Sequence, residues 1–202
     1  MLILSFDTAP DTATCAVCSD GEALAESRTS VPALLSEVDR LLEEAGAARG
    51  ELVGIVVGTG PGRYTSLRMG LVTARALAFA LDVPVAGVST LDAMTAGAEG
   101  AVPLIDARRG EVFTLDLGPA CLRPEQLPAE PGRLYVGDGA IRYRTLLEAA
   151  GATVPPDDDP RHVPWARHHA RLAESFGPAE LAEPLYLRAP DAERALERAA
   201  GR

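Results

Sequence analysis

The start of the chain has a strand pattern of apolar and polar residues. The segment LILSFDT (2–8) is apolar and rich in residues that favour strands, and TCAVCSD (14–20) alternates between apolar and polar positions. Turn-forming residues, APDTA, separate the two segments. The pattern predicts an antiparallel hairpin with a Pro-Asp connection, followed by a third strand at 22–28.

Helical and strand patterns then alternate. Apolar residues at helical spacing predict a helix over 31–45, and SLRMGLVTARALAFAL predicts a second helix over 66–81. Between them, LVGIVVG (52–58) is a continuous apolar run, which is typical of a strand buried on both faces. VPVAGVS (83–89) predicts another buried strand, and a third helix starts at Thr90.

A similar order of elements begins again near residue 102. The predicted elements are hairpin strands at 102–107 and 112–118, a strand with a glycine turn at 133–140, and helices at 141–151 and 164–177. The order indicates two α/β halves, 1–100 and 101–202, each opening on a hairpin whose first strand ends near an Asp. We expect the acidic linker at 154–160 to be exposed.

Composition narrows the class of protein. Hydrophobic residues make up 47% and charged residues 24% of the 202 residues, which is typical of a soluble globular protein. No apolar window has the length of a membrane span, and the start lacks the basic segment of a signal peptide, so we expect a cytoplasmic protein. The net charge of −10 disfavours direct binding to free nucleic acid. All 19 basic residues are Arg, which excludes a Walker A lysine and a lysine Schiff base.

The cysteines and histidines predict neither a metal site nor a redox site. Cys15 and Cys18 form a C-x-x-C, but they lie in a strand pattern, and we interpret them as two small strand residues. His162, His168 and His169 form no H-x-x-x-H pair and no H-E-x-x-H motif. We therefore assign no catalytic and no metal-binding residue.

The segment GTGPG (58–62) stands between a strand and a helix, as a phosphate loop would. The dinucleotide pattern needs a third glycine at position 63, where Arg63 stands. The loop is either a phosphate site or a tight turn that requires glycine. Asp7 similarly either binds a metal ion or water, or ends its strand in a turn. The second hairpin turn, with Arg108 and Arg109, is either part of a cleft between the halves or an ordinary charged turn.

The helix predicted over 66–81 is apolar on two sides. One side carries Leu67, Leu71, Ala74, Ala78 and Leu81, and the other carries Met69, Val72, Ala76 and Phe79. A helix that is apolar on several faces is buried on several faces. Two explanations stay open, namely a subunit interface and cover by the preceding helix.

Five blocks together resemble the TsaB (YeaZ) family: LILSFDTA, VGTGPGRYTSLRMGL, GVSTLDAM, IDARRGEVF and AEPLYLR. This family is a subunit of the bacterial complex that makes threonylcarbamoyladenosine beside the tRNA anticodon. The resemblance implies an α/β, actin-like ATPase (ribonuclease H-like) fold in two halves. It also implies a non-catalytic scaffold and activator, because the metal-binding H-x-x-x-H of the catalytic TsaD subunit is missing here.

The resemblance further implies the partners. They are a TsaD-like catalytic subunit in a heterodimer and a TsaE-like ATPase, with a homodimer when the chain is alone and tRNA bound only through the complex. It implies no cofactor of the chain's own, and places any ADP or ATP at the interface with the partner. The implied interface residues lie on the helices at 31–45 and 66–81: Leu34, Leu35, Val38, Leu41, Leu42, Leu67, Arg68, Met69, Leu71, Val72 and Arg75.

The glycine loop departs from the family pattern. Arg63 and Ser66 replace small residues and leave less room for a phosphate, and Ser30 stands where the first interface helix of the family often begins with His. We therefore interpret the following residues as a vestigial nucleotide loop: Asp7, Thr8, Gly58, Gly60 and Gly62. The alternatives to a scaffold are an active ATPase or small-molecule kinase of the same fold, and a homodimeric binding protein that acts alone.

Overall fold

A computed structural model describes residues 1–128 and 130–188. Its helices and strands are β1 (Leu2–Asp7), β2 (Ala13–Ser19), β3 (Glu22–Thr29), α1 (Leu34–Glu44), β4 (Gly54–Gly58), α2 (Tyr64–Leu81), β5 (Val85–Val88), α3 (Thr90–Gly97), β6 (Val102–Arg108), β7 (Glu111–Thr114), β8 (Ala120–Leu122), β9 (Tyr135–Val136), α4 (Asp138–Arg142), α5 (Arg144–Ala149) and α6 (Ala166–Leu172). Among these residues, no helix is both long and apolar enough to cross a lipid bilayer.

The first sheet has five strands in the order β3-β2-β1-β4-β5. β1, β2 and β3 pair antiparallel, whereas β1, β4 and β5 pair parallel, with Leu4 between Val17 and Ile55. Side chains alternate between the two faces, so Leu4 packs on one side of the sheet and Ile3 on the other. Both faces are covered, which explains why the inner strands β1 and β4 are mostly apolar.

Helices from distant parts of the chain cover the first sheet. α1 and α2 pack on one face, and α6 packs on the other through Ala166 and Ala170. Two side chains of the sheet donate hydrogen bonds to the segment around α6: Ser5 Oγ to the carbonyl of Ala166 (2.7 Å) and Thr14 Oγ1 to that of Pro164 (2.9 Å). The sequence division at residue 101 separates the two sheets, but α6 lies on the first one.

The second sheet has the order β8-β7-β6-β9. Leu91 and Met94 of α3 pack with Ile105 on one face, and Leu147 of α5 packs with Leu104 on the other. Since α3 contacts both α6 and β6, these two helices lie between the sheets. The structure confirms the α/β architecture in two halves, with one sheet in each.

Two helices differ from the sequence pattern. The helix predicted over 141–151 is broken at Tyr143 (φ −105°, ψ 19°) into α4 and α5. There, Leu147 enters the core and Arg144 donates to the carbonyl of Val154 (2.7 Å), so tertiary contacts override helix continuity. The strand β8 is missing from the sequence prediction.

The helix predicted over 164–177 ends at Leu172. Beyond it, Gly177 pairs with Val85 through two backbone hydrogen bonds (2.9 and 3.0 Å) and covers part of the edge of the first sheet. Phe176 packs against Gly54, where a Cβ would approach the phenyl ring to 2.7 Å. These contacts require an extended backbone, which helical periodicity alone could not indicate.

Candidate functional site

The carboxylate of Asp7 is enclosed by its own chain. Its Oδ1 accepts a hydrogen bond from the amide of Ala9 (2.8 Å), and its Oδ2 accepts one from Thr90 Oγ1 (2.8 Å). His169 Nε2 lies 3.0 Å from the same Oδ2, and both side chains are fully buried. A Cβ at Gly58 would overlap the carboxylate. The contacts favour the interpretation of Asp7 as the residue that ends β1 in a turn.

The glycine loop packs directly on the first hairpin turn. A Cβ at Gly62 would overlap the carbonyl of Ala9, and that carbonyl accepts the amide of Arg63 (2.8 Å). Gly60 has φ +88°, which favours glycine, and its carbonyl accepts the amide of Thr90 (2.8 Å). The glycines therefore permit close packing of two backbone segments.

Thr8, next to the glycine loop, contacts the first turns of α2. Its Oγ1 donates to the carbonyl of Ser66 (2.7 Å), and Gly70 is so close that a Cβ there would overlap the hydroxyl. Thr8 and Asp7 do meet the glycine loop in space, as a vestigial site requires. Residues of the chain itself fill the space against these glycines.

An ion-pair network joins the two hairpin turns. Arg108 donates from one nitrogen to Asp11 (2.5 Å) and from the other to Asp106 (3.1 Å), while Arg63 also contacts Asp11 (3.3 Å). Arg108 has φ +61°, a left-handed conformation at the irregular end of β6. The second turn is thus positioned opposite the first, as the cleft interpretation expected.

The space next to this network is small. A cavity of about 130 Å³ is lined by residues that include Asp11, Arg28, Asp138 and His162. Burial raises the pKa of Asp138, whose carboxylate accepts the amide of Asp106 (2.9 Å). Cavities that bind ligands of nucleotide size are usually about 300–1,000 Å³. Within residues 1–128 and 130–188, no three His, Cys, Asp or Glu side chains are arranged to hold a metal ion.

Two of the cysteines and all three histidines are buried. Cys15 and Cys18 are buried on opposite faces of β2, and burial raises the pKa of the Cys18 thiol to about 12. Their interpretation as strand residues is confirmed. His162 Nδ1 accepts the amide of Gly137 (2.9 Å), and burial, with nearby Arg167, lowers the pKa of His168 to about 4.

One side of α2 is apolar and open to solvent. We call it the outer face of α2, and it consists of Met69, Val72, Ala76 and Phe79. Met69 is 50% exposed, Val72 61% and Phe79 91%. The explanation that the preceding helix covers this side is therefore wrong. Sequence reasoning identified the apolar side but did not select Phe79, its most exposed member.

The opposite side of α2 and the apolar side of α1 belong to the core. The following predicted interface residues are buried between the helices and the first sheet: Leu34, Val38, Leu41, Leu42, Leu67 and Leu71. Their assignment to a partner surface is corrected, because the chain's own sheet already covers them. Leu35 of α1, which is 55% exposed, remains on the surface with the outer face of α2.

The arginines of α2 bind a late segment of the chain. We call residues 179–186 the C-terminal strap. Arg68 Nε donates to the hydroxyl of Tyr186 (2.8 Å), and the Arg68 guanidinium lies 4.2 Å from the ring centre of Tyr64. The two tyrosine rings stack with centres 5.4 Å apart. Arg75 donates to the carbonyl of Ala182 (3.0 Å).

Comparisons with known proteins show which family model and which relatives this chain is similar to. The family model described as "TsaD: tRNA N6-adenosine threonylcarbamoyltransferase" matches residues 25–121. The tRNA threonylcarbamoyladenosine biosynthesis protein TsaB of Bacillus subtilis is 38% identical over 124 residues, which cover 56% of this chain and 54% of that protein. An uncharacterized protein of Mycobacterium tuberculosis is 32% identical over 179 residues, which cover 83% and 79% of the two chains.

The solved structure of YeaZ from Pseudomonas aeruginosa superposes with a TM-score of 0.75. It is 28% identical in sequence, and the match covers 92% of this chain and 99% of that one. The chain spans about half the length of curated relatives such as the Bacillus protein. The predicted α/β, actin-like (ribonuclease H-like) fold and the resemblance to the TsaB (YeaZ) family are confirmed.

Proposed function

We propose that this chain is a non-catalytic subunit in the biosynthesis of threonylcarbamoyladenosine in tRNA, and that it binds a TsaD-like catalytic subunit through the outer face of α2. The observation that carries the proposal is this exposed face. Its residues recur at spacings of three and four, so they form one continuous side of the helix. Soluble monomers rarely expose such a patch without a partner.

The energetics of this face suit a protein partner. Full burial of a large apolar side chain contributes about 1.5–3 kcal/mol. Phe79, Val72 and Met69 are each at least half exposed in the isolated chain, so a partner would gain from all three. Association has its own cost in lost translational and rotational freedom, so the helix face needs contributions from other exposed residues, such as Leu35 of α1.

A partner of similar fold is the best candidate. The TsaD family model matches 25–121, a range that contains both α1 and α2. A TsaD-like subunit would therefore present a related pair of helices, and two such pairs could pack against each other. Similar geometry would let the chain pair with itself when it is alone. The curated relative in Bacillus subtilis is named for this modification pathway.

The packing of the glycine loop supports a role without chemistry of its own. Thr8 and Ala9 fill the side of the loop where a phosphate would approach, and the pair between Arg108 and Asp11 spans the cleft beside it. We place any ADP or ATP at the interface with the partner. A TsaE-like ATPase and tRNA join only in the complex, and we expect the compartment to be the cytoplasm.

The experiment is a mass measurement by light scattering on this chain mixed with the TsaD-like protein of its own organism. Val72→Arg places a charge on the outer face. Leu117→Arg is the matched control, because Leu117 is 71% exposed but lies in the other half of the fold. We expect a heterodimer with the wild type and the control, and none with Val72→Arg.

Equal mass for both variants, or no complex with the wild type, would refute the proposed interface. Calorimetric titration of the isolated chain with ATP tests the alternative of an ATPase or kinase. We expect no binding, whereas tight binding with hydrolysis would favour the enzyme.

A further inference from the structure

We propose that the C-terminal strap forms one edge of the surface that the TsaD-like partner contacts, and that Arg68 and Arg75 position it there. The inference rests on the proposed function, since the partner is expected on the outer face of α2. It adds a second element to that surface, contributed by a part of the chain more than a hundred residues away in sequence.

The position of the strap follows from the geometry of α2. An α-helix turns about 100° per residue, so Arg68 and Arg75 share one side of α2 with Tyr64. The same rotation puts Val72 only about 40° from Arg68, and Phe79 about 40° from Arg75. Arg68 and Arg75 both bind the strap, so the strap runs directly along one border of the outer face.

The strap is attached by hydrogen bonds and by the packing of its alanines. Besides the two arginines, the amide of Leu185 donates to the carbonyl of Thr59 (2.7 Å). Ala182 is buried against the core, but a cavity of about 570 Å³, lined by Phe176 and Leu185 among others, lies between the strap and the edge of β5. Among the large apolar side chains of the strap, Leu181 stays on the surface, where it is 74% exposed.

The chemistry of this edge suits a protein surface. Tyr and Arg are enriched among residues that dominate binding energy, because they combine apolar area with hydrogen-bonding groups. Tyr64 and Tyr186 are 38% and 39% exposed, and their stacking with Arg68 fixes both rings before a partner arrives. Preformed side chains lose less entropy on binding. An RNA base could also stack here, but the net charge of −10 disfavours that ligand.

The first test is calorimetric titration of the TsaD-like subunit into Leu181→Arg. The matched control is again Leu117→Arg, because the two leucines are 74% and 71% exposed and neither substitution should change the melting temperature. We expect Leu181→Arg to weaken the complex at least about tenfold and the control to bind as the wild type does. Equal affinity of Leu181→Arg and the wild type would overturn the proposal.

The second test addresses positioning. We expect Tyr186→Ala to weaken the complex by about fivefold or more, and Tyr186→Phe, which keeps the stacked ring, to restore most of that loss. Hydrogen exchange of the amides in 179–186 should slow when the wild type binds its partner. A purely structural strap would exchange equally fast in the free and bound chain, and that result would refute the proposal.

The outcomes separate this inference from the proposed function. If the wild type forms no complex, both fail together. If Val72→Arg abolishes the complex while the strap variants bind normally, only the role of the strap fails. If Tyr186→Ala leaves the heterodimer intact but weakens the binding of tRNA to the complex, the stacked tyrosines serve RNA and the proposal is again overturned.

Discussion

The two helical layers on the first sheet differ in what covers them from outside. On one side, α6 contacts the sheet partly through polar groups, such as the hydrogen bond between Ser5 and Ala166 and the buried pair of Asp7 and His169. On the other side, α2 packs on the sheet through apolar and small residues, such as Leu71 and Ala74.

The outer sides of the two helices differ in the opposite way, in that the side of α6 is covered and the side of α2 is open. The outer side of α6 packs against α3, so His168 is buried there against Gly97 despite its polarity. The outer face of α2 is apolar and is left exposed, with Phe79 at 91%. The difference teaches that polarity alone does not reveal which helix side is free. The fold closes the polar layer internally and leaves the apolar one exposed.

The largest expected effect is a loss of stability that distinguishes the buried side of α2 from its outer face. Leu71→Ala should lower the free energy of unfolding by about 3 kcal/mol, because Leu71 is buried and its truncation leaves a cavity. Val72→Ala is the neighbouring control and should change it by less than about 0.5 kcal/mol, because Val72 is exposed. Urea unfolding measures both. Similar losses in the two variants would mean that α2 is buried on both sides.

A second prediction concerns the loop before α2. Gly62→Ala should lower the free energy of unfolding by about 2 kcal/mol, since its Cβ would meet the backbone of Ala9, which cannot rotate away. Gly50→Ala is the control, because no heavy atom lies within 4 Å of a Cβ there. Thermal or urea unfolding compares them. If Gly62→Ala is as stable as Gly50→Ala, the loop is open, and the interpretation of the glycine loop as a phosphate site gains support.

The third prediction concerns the pH dependence of stability that the buried His168 causes. The pKa of His168 is lowered to about 4, below its ordinary value near 6.5, so the unfolded state binds more protons between these two values. Stability should therefore fall as the pH drops from about 6.5 to 4. In His168→Gln the slope should be shallower by up to about 1.4 kcal/mol per pH unit. Urea unfolding at several pH values tests this, and an unchanged slope would place His168 in contact with water.

The smallest effect is expected at the cleft. The pair between Arg108 and Asp11 has both side chains 48% exposed, and exposed ion pairs contribute at most about 1 kcal/mol. Arg108→Ala and Asp11→Ala, with the double variant, should give a coupling energy below that value in urea unfolding. A coupling above about 2 kcal/mol would mean that this pair, rather than α3 and α6 between the sheets, joins the halves.

Local patterns predicted much of the fold. The apolar runs of β1 and β4 and the helical spacing in α1 and α2 depend on neighbours within a few residues, and the structure has these elements. Several predicted interface residues, such as Val38 and Leu41 on α1, are instead buried in the core, because periodicity identifies an apolar side of α1 but not which sheet or subunit covers it.

The candidate site depends on contacts that are distant in sequence. The state of the glycine loop depends on Thr8 and Ala9, about fifty residues earlier, and no local pattern reveals that they fill it. Arg68 was singled out from the sequence, but its partner Tyr186 is 118 residues away. Such pairings require the topology that brings the late segment back to the first sheet.

The central claim is that the outer face of α2 binds a TsaD-like subunit. The most direct test is the dissociation constant of that complex with Phe79→Ala, because Phe79 is 91% exposed and its truncation should leave the isolated chain as stable as before. The account predicts an affinity at least about thirtyfold weaker than that of the wild type, the loss typical of a dominant interface residue. A dissociation constant equal to that of the wild type would contradict it.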